Sequence, residues 1–442
     1  MKMKSRLKEL IFRFLGSKRM TKFANLGLQN KRRLNSEKKR IQDNRPHVVN
    51  FFHNVADPYS YLAIQKLNQF KENYNVSLNC ILVGDPPSLA TPEPEIYKTY
   101  SLLDVKRIAS FYNTSPPTIK SIPNAKQIKK IERILANTSQ DHFINKSLEL
   151  GHQLWQGNPI DLELQDQDSG ASEEKTVLTI KNGNSLRHQM KHYLGAIFHY
   201  EGENYWGLDR LKYLENRLIK LGLNKKDGPL ISKKNTKVHK LIEVTNNLTI
   251  EFYPSLNSPY TYISFNRIKE LSEKYSCTLE IKPVLPMLMR GMKIPATKGF
   301  YILNDASREG IEVGVEFKKI LTPIGKPAER AYSLFRWVDD QGKGFEYLHQ
   351  LMTASFYEGK NIYRKTFLSQ LIQELDLNWE EAILHLDNDE WQNILEKNRL
   401  DMYKGSIWGV PAFKLISPDQ EDFSVWGQDR LWLLENEIFN RV

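Results

Sequence analysis

Three short motifs occur twice in this chain, in the same order, and a chain that repeats its own anchors is constrained to fold as two similar bodies. Asp57-Pro-Tyr-Ser-Tyr-Leu-Ala63 returns as Ser258-Pro-Tyr-Thr-Tyr-Ile-Ser264, Leu154-Trp-Gln-Gly-Asn158 as Phe356-Tyr-Glu-Gly-Lys360, and Tyr205-Trp-Gly-Leu-Asp-Arg-Leu211 as Val425-Trp-Gly-Gln-Asp-Arg-Leu431. The offsets are 201, 202 and 220 positions, so an insertion enters the second copy before the last anchor. With 442 residues, each copy is long enough to bury a core of its own.

At low resolution the copies read alike. The runs His47 to His53 and Leu248 to Tyr253 are rich in β-branched and aromatic residues, which predicts strands. Each leads through a turn to Asp57-Pro58 or Ser258-Pro259, a capping residue followed by proline at the first helical position. Second strands are expected at Val76 to Val83 and Cys277 to Val284, completing a strand-helix-strand unit of the kind that builds parallel sheets. Mostly helical stretches follow, over 95–193 and 300–402, the first interrupted by a polar loop at 166–174. Each copy closes with two short strands, Ala196 to Tyr200 with Asn204 to Trp206, and Ala412 to Ile416 with Phe423 to Trp426. The connections Glu201-Gly202-Glu203 and Ser417-Pro418-Asp419 are hairpin chemistry. Final helices are expected at Asp209 to Leu221 and Asp429 to Phe439.

This order of elements predicts an α/β chain of two tandem thioredoxin-like domains, each with a helical insertion. The boundaries expected are a basic arm at 1–45, a first domain at 46–222, a polar linker at 223–247 and a second domain at 248–442.

The net charge of +11 is not spread over these domains. Residues 1–45 hold 15 Lys and Arg against Glu9, Glu37 and Asp43, a net of +12, which leaves the remainder at −1. The basicity belongs to the arm, and no nucleic-acid partner is expected. Within the arm, Leu7, Leu10, Ile11, Phe14 and Leu15 share one helical face. Such a face suits an anionic membrane surface, an acidic partner or the protein's own body. Arg13 interrupts the apolar patch, which argues against a secretory signal. Cys80 and Cys277 stand apart, with neither C-x-x-C nor metal-ligand spacing, so no dithiol site is expected and a cytoplasmic location is, with peripheral membrane contact through the arm as the variant. His188 and His192 have helical ligand spacing and His199 follows, but no carboxylate or cysteine completes a metal set.

The residues that carry chemistry differ between copies. Where a helix start faces a ligand it favours an anion, and a thiolate held there is abundant at neutral pH. Ser258 is neutral and has a hydroxyl to donate; Asp57, at the same place in the first copy, would occupy the anion site and repel a thiolate. Both are equally good helix caps, and that is the simpler role. The second copy also has Gly409-Val410-Pro411-Ala412, with a proline suited to a cis bond opposite the first helix, whereas the first copy has Gly195-Ala196 and no proline. Asp429 could accept an ammonium, and Arg290, Lys293 and Lys298 form a basic group after the second strand.

Taken in order, Ser258-Pro-Tyr-Thr-Tyr262, Lys298-Gly-Phe-Tyr-Ile-Leu-Asn-Asp305, Phe356-Tyr-Glu-Gly359, Gly409-Val-Pro-Ala412 and Trp426-Gly-Gln-Asp-Arg430 resemble the 2-hydroxychromene-2-carboxylate isomerases and kappa-class glutathione transferases of the DsbA-like thioredoxin superfamily. The resemblance implies DsbA-type domains and glutathione as cosubstrate. It further implies that Ser258 stabilises the glutathione thiolate, that Lys298 contacts glutathione, that Val410 before cis-Pro411 pairs with its backbone, and that Asp429 and Arg430 hold its γ-glutamyl end. The implied substrate is a small aromatic or conjugated carboxylate. Two alternatives stand beside this: a DsbA-family disulfide oxidoreductase relative without the cysteine pair, and a non-catalytic interaction protein. The turn before Ser258, Tyr253 to Asn257, is a residue longer than the family's, which threatens to displace the hydroxyl.

Overall fold

A computed structural model describes residues 15–157, 170–236 and 247–442. The chain divides into two compact units, 30–237 and a second comprising 1–29 and 238–442, and each is described by itself.

The N-terminal unit opens with α1 (Leu26–Gln42), whose residues from Asn30 onward count with it. Then come β1 (Val48–His53), α2 (Pro58–Ile64), α3 (Leu67–Asn73), β2 (Ser77–Leu82), the helical insertion α4 (Pro94–Ile108), α5 (Ala125–Asn137), α6 (Gln140–Gln156) and α7 (Glu173–Gln189), the hairpin β3 (Ile197–Tyr200) and β4 (Glu203–Trp206), and α8 (Gly207–Lys220). The sheet order is β2-β1-β3-β4; β1 and β2 are parallel, as a helical crossover requires, and the other pairs are antiparallel. Glu201 and Gly202 both take positive φ, the turn that matches strand twist in a two-residue hairpin. Phe51, Phe52, Ile197, Phe198 and Tyr205 are fully buried and form the sheet's share of the core.

The C-terminal unit repeats the plan. Its elements are β5 (Thr249–Tyr253), α9 (Pro259–Tyr262), α10 (Phe265–Lys274), β6 (Thr278–Ile281), the insertion α11 (Ala296–Glu312), α12 (Lys326–Asp340), α13 (Gly344–Phe356), α14 (Lys365–Glu374), α15 (Trp379–Ala382) and α16 (Trp391–Lys404), the hairpin β7 (Ala412–Ser417) and β8 (Gln420–Trp426), and α17 (Leu431–Arg441). The order β6-β5-β7-β8 and the strand directions match the first sheet. The chain is thus an α/β protein with two separate mixed four-stranded sheets, each dressed with helices.

Register locates part of the insertion inferred from the motif offsets. Ile197 pairs with Trp206 and Ala412 with Trp426, so the second hairpin is the longer. Strand β6 stops at Ile281, earlier than expected: Lys282 and Val284 still donate to the Phe252 and Pro254 carbonyls, but Pro254 has no N–H to return the bond. The last helix begins at Leu431, after a 3-10 turn over Gln428–Arg430 that the pattern of apolar residues did not reveal.

The described part of the expected linker is packed against the N-terminal unit. Ile231 and Ser232 are buried, and the Glu215 carboxylate accepts from both backbone N–H groups and from the Ser232 hydroxyl. Residues 237–246 lie outside the described residues, as do 158–169, which include Asn158 and the start of the polar loop. Of the arm's expected apolar face, only Leu15 is described; it is exposed. Residues 15–24 are helical and dock on the C-terminal unit: the Ser17 and Thr21 hydroxyls accept from the N–H groups of Thr322 (3.1 Å) and Ile320 (3.0 Å). Among the described residues no helix is long and apolar enough to cross a membrane.

Candidate functional site

In the C-terminal unit Ser258 caps α9. Its Oγ accepts from the Thr261 N–H at 3.2 Å, and its hydroxyl hydrogen faces the Val410 carbonyl at 3.5 Å, a long contact. The turn before it has the same length in both units: Ser258 N–H donates to the Ser255 carbonyl, as Asp57 N–H does to Asn54 in the other unit. The Val410-Pro411 peptide is cis, and the last sheet pair, Tyr253 with Ala412, leaves Val410 just beyond the ladder.

The flanks of this loop bring in the other expected residues. Trp408 and Trp426 have ring centroids 5.3 Å apart, and Gly409 is needed between them because a Cβ there would meet the Trp426 ring at 2.5 Å. The Lys298 ammonium, on the first turn of α11, lies 4.9 Å from the Trp408 centroid. Burial pushes that ammonium down to about 8. On the opposite flank the Gly427 N–H donates to the Pro411 carbonyl at 2.9 Å, and Asp429 and Arg430 follow in the 3-10 turn. Arg430 is buried and donates to the Asp429 carbonyl at 3.3 Å. Gln428 is pinned by Glu309 (2.6 Å) and by Arg267 through its carbonyl (2.9 Å), so this motif has structural work as well. Ser258 and Lys298 therefore meet the 408–411 loop through Val410 and Trp408, and the turn that carries Asp429 and Arg430 joins it through the Gly427–Pro411 hydrogen bond. Arg290 turns to the Tyr403 hydroxyl at 3.3 Å, and Lys293 is exposed. His188 is exposed while His192 is buried, and no His, Cys, Asp or Glu group of metal-holding size exists among the described residues.

The same place in the N-terminal unit is filled. Asp57 caps α2, accepting from the N–H groups of Tyr59 and Ser60 at 3.1 Å each and from the Ser60 hydroxyl at 2.8 Å. Burial raises its carboxyl to about 6, against the pull of those hydrogen bonds. Ala196 stands where Pro411 stands, because the Gly207 N–H bonds its carbonyl as Gly427 bonds that of Pro411. Ala196 donates its N–H to Ser60 Oγ at 2.8 Å. Gly195, the counterpart of Val410, lies so close that a Cβ would meet Asp57 Oδ2 and Ser60 Oγ at 2.7 Å. Asp209 accepts from the Tyr112 hydroxyl at 2.6 Å and pairs with Lys234 at 3.2 Å. Tyr97 takes the position of Lys298 by the shared offset.

Two paired features were missed in the sequence. The Tyr59 hydroxyl donates to Asp104 and the Tyr260 hydroxyl to Asp305, each at 2.7 Å, fixing the first helix to the insertion in both units. Tyr74 and Tyr275 likewise donate to Glu215 (2.9 Å) and Glu435 (3.2 Å) on the last helices. The equal 45-residue spacing of Tyr59–Asp104 and Tyr260–Asp305 was the available signal.

The DSBA-like thioredoxin domain family matches residues 249–439. Among solved structures, a 2-hydroxychromene-2-carboxylate isomerase is 18% identical with a TM-score of 0.37, covering 44% of this chain and 95% of its own. The cytosolic disulfide reductase DsbM from Pseudomonas aeruginosa with GSH is 15% identical with a TM-score of 0.32, covering 44% and 100%. The α-DsbA1 of Wolbachia pipientis is 15% identical with a TM-score of 0.29, covering 44% and 85%. No curated protein matches the chain. The C-terminal half is DsbA-like.

Proposed function

We propose that the C-terminal unit is a glutathione-dependent isomerase or transferase and that the N-terminal unit, a degenerate copy of the same domain, is silent. The observation that carries this is the Ser258 hydroxyl. It uses a lone pair to cap its helix while its hydrogen has only a 3.5 Å contact with Val410, so that hydrogen can turn to a ligand thiolate at little cost. Around it, the Val410 backbone lies just beyond the last ladder pair, where a peptide-like ligand can pair with it, and Lys298 and Asp429 offer opposite charges for glutathione's glycyl carboxylate and α-ammonium. Glutathione supplies the nucleophilic sulfur; the chain holds it ionised and oriented for addition to a small aromatic or conjugated carboxylate.

Dithiol chemistry finds no support: Cys80 is buried with its thiol pushed up to about 12, and Cys277 lies at the start of β6, away from the Ser258 helix start. The test is a calorimetric titration with glutathione. Ser258→Ala is expected to weaken binding roughly tenfold or more, the worth of a hydrogen bond to a charged group, while Asp57→Ala leaves it unchanged. Equal binding by wild type and Ser258→Ala would sink the assignment.

A further inference from the structure

Helix α1 has two faces with different fates, and only one is explained by the fold. On the inward face of the part belonging to the N-terminal unit, Arg33 forks onto Glu203 (2.6 and 2.7 Å), Arg40 pairs with Glu37 (2.6 Å), and Arg45, just past the helix, pairs with Glu201 (2.7 Å). With the Arg45–Asp43 pair (3.4 Å), these contacts consume that segment's two acids and pin it to the β3-β4 hairpin. The outward face holds Lys31, Leu34, Lys38, Lys39 and Ile41, at spacings that keep them on one side of the helix. Leu34 and Ile41 are 64% and 62% exposed, values a core-facing aliphatic never has. No acidic side chain shares that face, and none of the three lysines makes an ion pair among the described residues.

We infer that this outward stripe is a docking surface for an anionic lipid bilayer. Charge selects an anionic occupant: the lysines stand in a 45-residue stretch of net +12 on a chain otherwise near neutral. The aliphatics select among anionic occupants. Nucleic-acid phosphates have no use for two exposed aliphatic side chains, whereas a bilayer accepts them beneath its headgroups while lysines reach up to the phosphates. The two sit about 10 Å apart along the axis at 1.5 Å per residue, so both can enter one leaflet with the helix lying flat. This inference is independent of the glutathione reading.

The test uses the full chain and sedimentation with vesicles of phosphatidylcholine, with and without about 30 mol% phosphatidylserine, at about 0.1 M salt. The wild type should sediment only with the anionic vesicles. Replacing the three lysines together, Lys31→Gln, Lys38→Gln and Lys39→Gln, should weaken binding about a hundredfold. The pair Leu34→Ser and Ile41→Ser should weaken it roughly tenfold with the lysines intact. All five positions are exposed, and circular dichroism confirms that each variant stays folded. The inference is overturned if the wild type ignores anionic vesicles, or if both variants bind like the wild type, which would assign the attachment to residues 1–14. Lysine-dependent binding to duplex DNA without vesicle binding also overturns it.

Discussion

Burial acts on two residues, one in each unit, and pushes them in opposite directions. Lys298 falls to about 8. If it receives the glycyl carboxylate of glutathione, binding restores the charged amine, so between about pH 8 and 9 binding takes up a proton. Titrations in two buffers of different ionisation enthalpy, run on wild type and on Lys298→Met, would read that uptake as the difference in proton balance between the two proteins, on top of the proton the glutathione thiol releases in both; the same balance in both proteins would remove Lys298 from the ligand's contacts. Asp57 rises to about 6. Its unfolded value is near 3.8, so between those limits the folded state holds the extra proton. Its contribution to the N-terminal unit's stability is complete below 3.8 and is lost as pH rises through about 6. Asp57→Asn cannot titrate, so the difference in unfolding free energy between wild type and variant should slope across this window. Parallel curves would mean the carboxyl is solvated.

At the scale of elements, each sheet solves a problem its strands create. Strand β2 is an edge, and the insertion covers it: the Gln140 amide exchanges hydrogen bonds with the Cys80 N–H (2.9 Å) and carbonyl (2.8 Å), as a neighbouring strand would. Helix α7 comes so near that a Cβ on Gly183 would clash with the Leu82 carbonyl oxygen. Gly183→Ala should therefore cost about 3 kcal/mol in the N-terminal unit, read by denaturant melts; a neutral result would mean the helix can slide. In the other sheet Glu251, buried on β5, accepts from Lys282, Lys414 (2.6 Å) and Tyr253 (2.6 Å), with Asp401 of α16 closing the cluster. Burial works against the Asp401 carboxylate, but the Lys282 hydrogen bond and the two lysine charges outweigh it and hold it down at about 2. Lys414→Met leaves Glu251 under-compensated and should cost about 3 kcal/mol at neutral pH. Strands, helix caps and hairpins were legible in the sequence because each is local: alternation, Asp57-Pro58, Ser258-Pro259 and Glu201-Gly202 carry them. The loop at Val410 was legible because the two copies could be compared position by position. The Glu251 cluster was not, since a charged residue in an alternating strand reads as solvent-facing and Asp401, which covers it, is 150 positions away. The filling of the first site by Gly195 was equally hidden, because glycine reads as a turn and here serves close approach.

Within the unit that holds the candidate site, the end of the chain supports the helix that carries the lysine. Phe23 stacks on Phe300 with centroids 4.3 Å apart, and Gln29 donates to the Ser307 hydroxyl at 2.7 Å. Both contacts fall on α11, and Phe300 lies two residues beyond Lys298 in its first turn. That turn has no side-chain cap, since Pro295 precedes it, so packing by residues 15–29 substitutes for the missing local signal. The first helix start in the same unit is self-sufficient, with Ser258 as its cap. Loss of Phe23 should therefore act unequally. Phe23→Ala removes a half-buried ring and should destabilise the C-terminal unit by about 2 kcal/mol. It should also weaken glutathione binding several-fold through Lys298, while leaving untouched whatever binding remains in Lys298→Met. If the two changes multiply instead of overlapping, the aromatic contact and the lysine act separately, and residues 15–29 are only a brace.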